Sequence, residues 1–398
     1  MMGVTSDRSW MQEAIELAQQ GVYTAHPNPM VGAILVKGGR ALQSGWHQQA
    51  GTPHAEFHAL QGLPTNLQDA TLYVTLEPCC HQGRTPPCVD LILKHNIGRV
   101  VVATLDPNPL VSGKGIQKLR AAGVLVDVGI LEQEAQQQNV GFMSRFTRQR
   151  PYVRAKMGMS LDGKIAMQSG ESQWITSPTA RMAVQKWRAQ SGVILTTQQT
   201  VLADNCLLNV RDESVLAQMP QGIEFLQPKR LVIDNNLKML PEANIVNGQC
   251  RDQNSDVIVA VGRETVSNLE LGEWQSALSS LSAKNIKCVS FPQDINNAHH
   301  IDFDSVLQYL AEMQINDVFV EAGPRFLNYL LENNFVDELV LHIAPDLLGA
   351  NTLAMQNLNI EQLKDKISGE YHKVQSLGRD IQAQVLISAY AKQVFKNI

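Results

Sequence analysis

A chain of 398 residues is longer than one hydrophobic core usually organises, so two domains of roughly 150 to 250 residues are expected. Apolar residues at 44% and charged residues at 18% exclude general disorder, and a net charge of -5 with a pI near 6.1 excludes the dense basic surface that nucleic-acid backbones require. The opening segment lacks the apolar core of a signal peptide, and no later stretch nears the roughly 18 to 20 apolar residues of a membrane span, so the cytoplasm is the expected location.

The chain opens on an amphipathic helix, with Trp10, Ala14, Leu17 and Ala18 at helical spacing, Asp7 placed to cap its start and Gly21 to end it. Met30 to Val36 is a short apolar, β-branched run that predicts a buried strand. Thr52-Pro53 predicts an N-cap and first-turn proline for a helix carrying His54, Glu56 and His58. Thr71 to Leu76 predicts a strand running into Glu77-Pro78 and a second helix start. Val100 to Thr104 and Val124 to Val128 are strand-like on either side of a helical Lys114 to Gly123. Strands alternating with helices predict a layered α/β domain.

Arg145 to Pro151 is polar and basic without apolar period, and it sets the boundary between a domain over 1–147 and one over 151–398. Beyond it, strands are predicted at Tyr152 to Lys156, Val193 to Thr197, Arg230 to Asp234, Val257 to Val261, Lys287 to Phe291, Asp317 to Glu321 and Glu338 to Ile343. Arg211 to Pro228 and Pro241 to Ser255 are polar and predict surface loops. Lys156 to Thr176 is polar and glycine-bearing after an apolar strand and predicts a functional loop.

Of six cysteines, Cys206, Cys250 and Cys288 are scattered, while Cys79, Cys80 and Cys88 cluster, and clustering points to metal or redox chemistry. His54-Ala55-Glu56, then a strand, then Pro78-Cys79 and Cys88 offer one imidazole and two thiolates, three of the four positions of a tetrahedral zinc. The remaining position is left for water, and Glu56, close to the metal without ligating it, is placed to move the water's proton. The pattern follows the zinc-deaminase signature of H-x-E and P-C-x-x-C, except that Cys79 and Cys88 are nine positions apart rather than three. Cys80 and His81 are rival ligands on proximity alone. In the second half, the strand from Asp317 turns at Gly323 into a helix, which aims backbone N–H groups at an anion such as a pyrophosphate. No G-x-G-x-x-G follows a strand, so a Rossmann domain is not expected.

The segments Thr24 to Val36, His54 to Glu56, Thr75 to Cys88 (TLEPCCHQGRTPPC) and Asp106 to Gly123 (DPNPLVSGKGIQKLRAAG) resemble the deaminase half of the bacterial bifunctional riboflavin-biosynthesis deaminase-reductases. SLDGKIA at Ser160, SGESQWIT at Ser169, TVLADNCLLNVR at Thr200 and VEAGPRFLNYLL at Val320 resemble the reductase half, so the likeness spans nearly the whole chain. It implies a cytidine-deaminase-like α/β/α domain followed by a dihydrofolate-reductase-like α/β domain. It also implies zinc on His54, Cys79 and Cys88 with Glu56 as proton shuttle, and a diaminopyrimidinone substrate bearing a phosphoribosylamino group.

For the reductase half the resemblance implies substrate contacts from Ser172, Arg188, Leu208, Arg211 and Glu321. NADPH would lie along Gly158, Trp174, Thr200 and Asp204, with its phosphates over Gly323, Pro324, Arg325, Phe326, Leu327, Asn328 and Tyr329, and Lys156 would help polarise a carbonyl. Cys80 stands where relatives often carry serine, and Cys206 where they often carry proline. Two rivals remain: a tRNA base deaminase with an accessory C-terminal domain, against which the acidic pI counts, and a zinc-stabilised scaffold, which would close the metal with a fourth protein ligand. A small-molecule substrate, no nucleic-acid or membrane partner, and a homo-oligomer, dimer or tetramer, complete the expectation.

Overall fold

The computed structural model describes residues 6–81, 86–235, 237–238, 243–247, 257–263, 279, 286–295, 297–355 and 358–396. The chain divides into two units, Met1–Gln149 with Met219–Phe225, and Arg150–Gln218 with Leu226–Ile398.

In the first unit the apolar runs form β1 (Gly32–Lys37), β3 (Ala70–Leu76) and β4 (Arg99–Thr104), joined by β2 (Arg40–Trp46) and β5 (Leu125–Val128) in the order β2-β1-β3-β4-β5. β1 is antiparallel to β2 and β3, and β3, β4 and β5 run parallel. Strand residues alternate between faces, so consecutive apolar residues fill two cores. Ile34, Val36, Tyr73, Val101 and Ala103 pack on Met11, Ala14 and Ile15 of α1 (Asp7–Ala18) and Ala135 of α5 (Glu132–Gln138). On the other face Leu35, Leu72, Val74, Val100 and Val102 pack on α2 (Ala55–Leu60), α3 (Cys88–Lys94) and α4 (Lys114–Ala121). The result is an α/β/α layering.

Several local expectations change. Ser6, not Asp7, caps α1, its hydroxyl accepting the Ser9 N–H at 3.3 Å. Asp7 instead accepts from Arg99 at 2.9 and 2.7 Å and from the Tyr73 hydroxyl at 2.6 Å. Gly21 ends a 3-10 turn that follows α1. Thr52 turns back onto Gln49, and the next helix starts at Ala55 with His54 as its N-cap. Pro78 to His81 are not helical, and α3 begins at Cys88. The glutamine-rich α5 lacks the apolar period that would have announced it, and α6 (Val140–Thr147) takes in part of the segment read as a boundary.

The second unit is built on a nine-stranded sheet in the order β11-β10-β9-β8-β14-β6-β15-β18-β17. Its strands are β6 (Tyr152–Ser160), β8 (Val193–Thr197), β9 (Lys229–Ile233), β10 (Val257–Gly262), β11 (Ile286–Phe291), β14 (Asp317–Val320), β15 (Glu338–Ala344), β17 (Glu370–Leu377) and β18 (Asp380–Leu386). Pairing is parallel from β11 through β15 and antiparallel at β15–β18–β17. Two short pairs accompany it: β7 (Lys164–Met167) with β16 (Thr352–Ala354), and β12 (Gln293–Asp294) with β13 (Asn297–Ile301). Val153, Ala155, Met157, Leu195, Val318 and Val320 face helices α11 (Phe303–Glu312) and α12 (Pro324–Glu332), through Val306, Leu310, Leu327 and Leu330 among others.

On its opposite face β6 presents Arg154, Lys156 and Gly158, and α7 (Pro178–Gln190) lies there with Trp187 stacked on Phe319 at 6.2 Å. Thus β6 runs on to Ser160 and β7 follows, so much of the predicted loop Lys156 to Thr176 is strand. The predicted loop Arg211 to Pro228 contains the short helix α9 (Glu213–Leu216), which follows α8 (Gln198–Asp204). Of Pro241 to Ser255 only 243–247 are described, including α10 (Asn244–Asn247), and Cys250 lies outside the described residues. The hairpin β17–β18 carries little apolar signal in the sequence, because β17 is exposed and polar and the mostly buried β18 places Asp380, Gln382 and Gln384 inward rather than an apolar run. No helix among the described residues is long and apolar enough to cross a membrane.

Candidate active sites

In the first unit three metal-ligand types converge. His54 has an extended backbone (φ -78°, ψ 169°) at the N-cap of α2, so its ring is free of capping duty. Its Nδ1 lies 3.6 Å from the Cys79 Sγ and 3.3 Å from the Cys88 Sγ, and the Cys88 N–H donates to the Cys79 Sγ at 3.3 Å. All three ligand atoms fall within 4.8 Å of one another. Zinc bonds of ~2.0 Å to nitrogen and ~2.3 Å to sulfur in a tetrahedron set neighbouring ligand atoms about 3.5 Å apart, which is the spacing found. Among the described residues no other group of this kind occurs. Cys80 packs against the core instead and His81 is exposed, so neither rival joins the group. Residues 82–85 of the motif lie outside the described residues.

Glu56 sits in the first turn of α2 with 3% of its surface exposed. Burial raises its carboxyl, against the opposing pull of His54. A hydrogen bond from Cys88 draws the Cys79 thiol down to about 4, with help from His54, and the same bond together with burial pushes Cys88 up.

Several neighbours escaped the sequence reading. His47 is buried and stands edge-on to His54 at 5.4 Å. Asn28 donates to its Nε2 at 3.0 Å, its Nδ1 donates to the Pro53 carbonyl at 3.2 Å, and burial holds it neutral with a pKa of about 4. Asp106 is buried and pushed up to about 7, chiefly by that burial. Glu77 accepts the N–H groups of Gly113 at 2.8 Å and Gly115 at 2.9 Å, which ties the start of α4 to the residue before Pro78-Cys79. The only sequence signal for Glu77 was its adjacency to that motif, and His47 carried none.

In the second unit Arg188 of α7 grips Glu321 in two parallel bonds, Nε to Oε1 at 2.6 Å and Nη2 to Oε2 at 2.9 Å, and donates from Nη1 to the Asn209 carbonyl at 3.1 Å. Burial would raise the Glu321 carboxyl, and the Arg188 guanidinium overrides it and holds it low. Lys156 shares this face, where burial draws its ammonium down while Glu321 pulls the other way. These three predicted residues therefore meet.

The other predicted positions divide. Leu208 (φ 49°) and Leu327 are core residues, so a ligand could meet only their backbone. Ser172 is half-buried, and Trp174 is exposed with the Arg181 guanidinium 4.4 Å from its ring centroid. The Arg211 backbone N–H donates to Gln185 at 2.9 Å and its guanidinium to Asn209 at 3.2 Å. Thr200 donates its N–H to the capping Thr197 hydroxyl at 3.4 Å, and Asp204 closes α8 with its carboxyl raised by burial. Gly323 caps α12, Pro324 follows it, and Arg325 is exposed. A Cβ on Gly323 would meet nothing within 4 Å among the described residues, which leaves that helix end open to close approach. The buried Asn328 Oδ1 has no hydrogen-bond partner among the described residues, and Tyr329 stacks on Phe326 and donates to Asp294 at 3.1 Å.

Comparison with known proteins agrees with this geometry. Residues 4–104 match the cytidine and deoxycytidylate deaminase zinc-binding region, and residues 151–383 match the RibD C-terminal domain. The riboflavin biosynthesis protein RibD of Escherichia coli K12 is 41% identical over 380 residues, covering 94% of this chain and 98% of its own length. The chain belongs to the RibD family. RibD of Aquifex aeolicus is 38% identical over 94% of this chain and 97% of its own length. The solved structure of Acinetobacter baumannii RibD superposes with a TM-score of 0.82 at 38% identity, over 96% of this chain and 99% of that one. A Thermotoga maritima structure described as a diaminohydroxyphosphoribosylaminopyrimidine deaminase/5-amino-6-(5-phosphoribosylamino)uracil reductase follows at 0.78 and 29% identity, over 96% and 99%. The mixed α/β class with a cytidine-deaminase-like first domain and a RibD reductase second domain stands, and the tRNA-deaminase rival finds no support among these relatives.

Proposed function

We propose that this chain performs two consecutive steps of riboflavin biosynthesis. A deaminase over 1–147 converts 2,5-diamino-6-(5-phosphoribosylamino)pyrimidin-4-one to its uracil counterpart with release of ammonia. A reductase over 151–398 then uses NADPH to turn the ribosyl side chain into ribityl, giving 5-amino-6-(5-phosphoribitylamino)uracil. The observation that carries the first step is the His54–Cys79–Cys88 group beside the buried Glu56. The enzyme would work in the cytoplasm, as a homo-oligomer, on small diffusible substrates.

The donor set and its 3.3 and 3.6 Å separations fit zinc with one coordination position left for solvent. Zinc supplies Lewis acidity, which lets water lose a proton near neutral pH. His54, Cys79 and Cys88 would hold the ion, and the Cys79 thiol, already drawn down, gives up its proton readily. Glu56 takes the proton from the attacking water and returns it to the departing amino group, so water adds at the carbon as ammonia leaves. Its burial keeps the carboxyl nearer the range where such transfers are efficient.

For the second step the open turn at Gly323 and the helix start at Pro324 suit the phosphates of a dinucleotide, with Arg325 to Tyr329 lining its path. NADPH supplies the hydride. Gly158, Trp174, Thr200 and Asp204 would flank the cofactor. Ser172 and Arg211, with the Leu208 backbone, would hold the ribose phosphate beside the Arg188–Glu321 pair. Lys156 polarises the ring-opened sugar's carbonyl as hydride arrives.

Glu56→Gln should keep zinc and lose ammonia release, and a variant that still turns over would remove Glu56 from this role. Purified protein should oxidise NADPH only when given the deaminated intermediate. Absence of that oxidation would withdraw the reductase assignment.

A further inference from the structure

Two cations on one face of the nine-stranded sheet are treated differently. Arg154 is fully committed, donating to Asp317 at 2.6 Å and Glu338 at 3.0 Å. Lys156, one pleat further along β6, makes no hydrogen bond or ion pair among the described residues. Its Nζ lies 3.5 Å from where a Cβ on Gly158 would stand, so the side chain leans along the strand over that glycine. Gly158 is directly opposite His342 of β15, and His342 is opposite Gln382 of β18. Residues opposite one another share a face, so the lysine amine and the imidazole border the same small space.

His342 is buried and fixed at one nitrogen, its Nε2 3.1 Å from the Gln382 Oε1. The Trp187 indole N–H, which can only donate, reaches the same oxygen at 3.5 Å. That oxygen must therefore accept from both, so the imidazole donates from Nε2 and keeps a lone pair on Nδ1. Burial, reinforced by the charge on Lys156, holds the ring neutral. The other charges facing the pair are Glu321 from the end of β14, Arg188 from α7 and Asp380 from β18. Glu321 and Arg188 are occupied with each other, and Asp380, which accepts the Ser177 N–H at 2.7 Å, bears on His342 rather than on Lys156.

We infer that His342 is a positioning residue for the reductase, its Nδ1 accepting a hydrogen bond from the Lys156 amine and holding that amine over Gly158. The bond requires only that the lysine's terminal torsions turn between staggered wells. Gln382 and Trp187 set the tautomer, much as the partner of a catalytic histidine sets which nitrogen is available. The inference rests on the reading above, in which the second unit is the reductase and Lys156 polarises the substrate.

The test is NADPH oxidation by the full-length protein with the deaminated intermediate, as a function of pH, for the parent chain, His342→Leu and His342→Gln. His342→Leu should lower kcat about tenfold, the worth of one charge-assisted hydrogen bond, while the KM for NADPH stays within about twofold. Its high-pH limb should move to lower pH, because an ammonium without its acceptor holds its proton less tightly. His342→Gln, which still offers an amide oxygen, should recover most of the rate. A His342→Leu enzyme with unchanged kcat and an unmoved limb overturns the inference. Should His342→Leu fail to fold, Trp187→Phe removes the donor that orients Gln382: a moved limb then supports the role, and an unmoved one refutes it. If the parent chain oxidises no NADPH, the reductase reading itself fails; if only the variants match the parent, this inference alone does.

Discussion

Arg188 and Glu321 face each other as a planar fork against a carboxylate, with both bonds short and both side chains mostly shielded from solvent. Removing one partner of such a pair leaves the other buried without compensation, at a cost of about 3–5 kcal/mol. Arg188→Ala should therefore unfold at clearly lower denaturant, and Arg188→Lys, which loses the fork, should not fully rescue it. The double variant Arg188→Met with Glu321→Leu should recover much of the loss. Equilibrium unfolding of the four chains decides it: single variants as stable as the parent would show that the pair contributes little.

Gly323 offers a cleaner probe of cofactor binding than any charged residue. Its φ of -69° suits any L-residue, and an added Cβ meets no atom of the described residues within 4 Å. Gly323→Val should leave the melting temperature unchanged and raise the KM for NADPH about tenfold, equivalent to ~1.4 kcal/mol of lost binding. An unaltered KM would move the pyrophosphate elsewhere.

The two activities should separate on metal removal. Cys88→Ala deletes one of the three proposed ligands, whose atoms lie within 4.8 Å of one another, so metal analysis should find little zinc and ammonia release should cease. Because Cys88 belongs to the first unit, NADPH oxidation with supplied intermediate should persist. Ammonia release that survives in the metal-depleted protein would exclude a zinc-dependent step.

Acid stability follows from His342. Its pKa is held near 4 against 6.5 in the unfolded chain, so the unfolded state takes up a proton first as pH falls. The residue contributes no penalty above about pH 6.5, and stability drops between 6.5 and 4 by on the order of 3 kcal/mol. His342→Gln should flatten that part of the stability profile, read as melting temperature at pH 7 and pH 5. Parallel profiles for the two chains would mean that the ring does not stay neutral.

Legibility varied with how local the cause was. The strands Thr71 to Leu76 and Val193 to Thr197 are readable because a short run rich in apolar and β-branched residues, buried on both faces, leaves few alternatives. The helix starts later than Thr52 because the Thr52 hydroxyl is engaged in a turn, accepting the Gln49 N–H at 3.3 Å and donating to the Gln49 carbonyl at 2.7 Å, instead of accepting from a helix N–H. His54, Glu56, Cys79 and Cys88 were legible as a set because metal chemistry demands those residue types together, whereas Cys80 and His81 could be set aside only once the loop had a shape.

By itself the sequence determined which segments are apolar enough to become central strands, which residues are of the types that metal binding and proton transfer use, and which family the chain resembles. Those properties reside in residue type and spacing, which exist before folding. Only the tertiary structure decided that Arg188 belongs to Glu321, that Leu208 points into the core, and that His342 and Gln382 stand in line with Gly158. Such pairings depend on strand order and register, which bring together residues far apart in the chain and leave no mark on local composition.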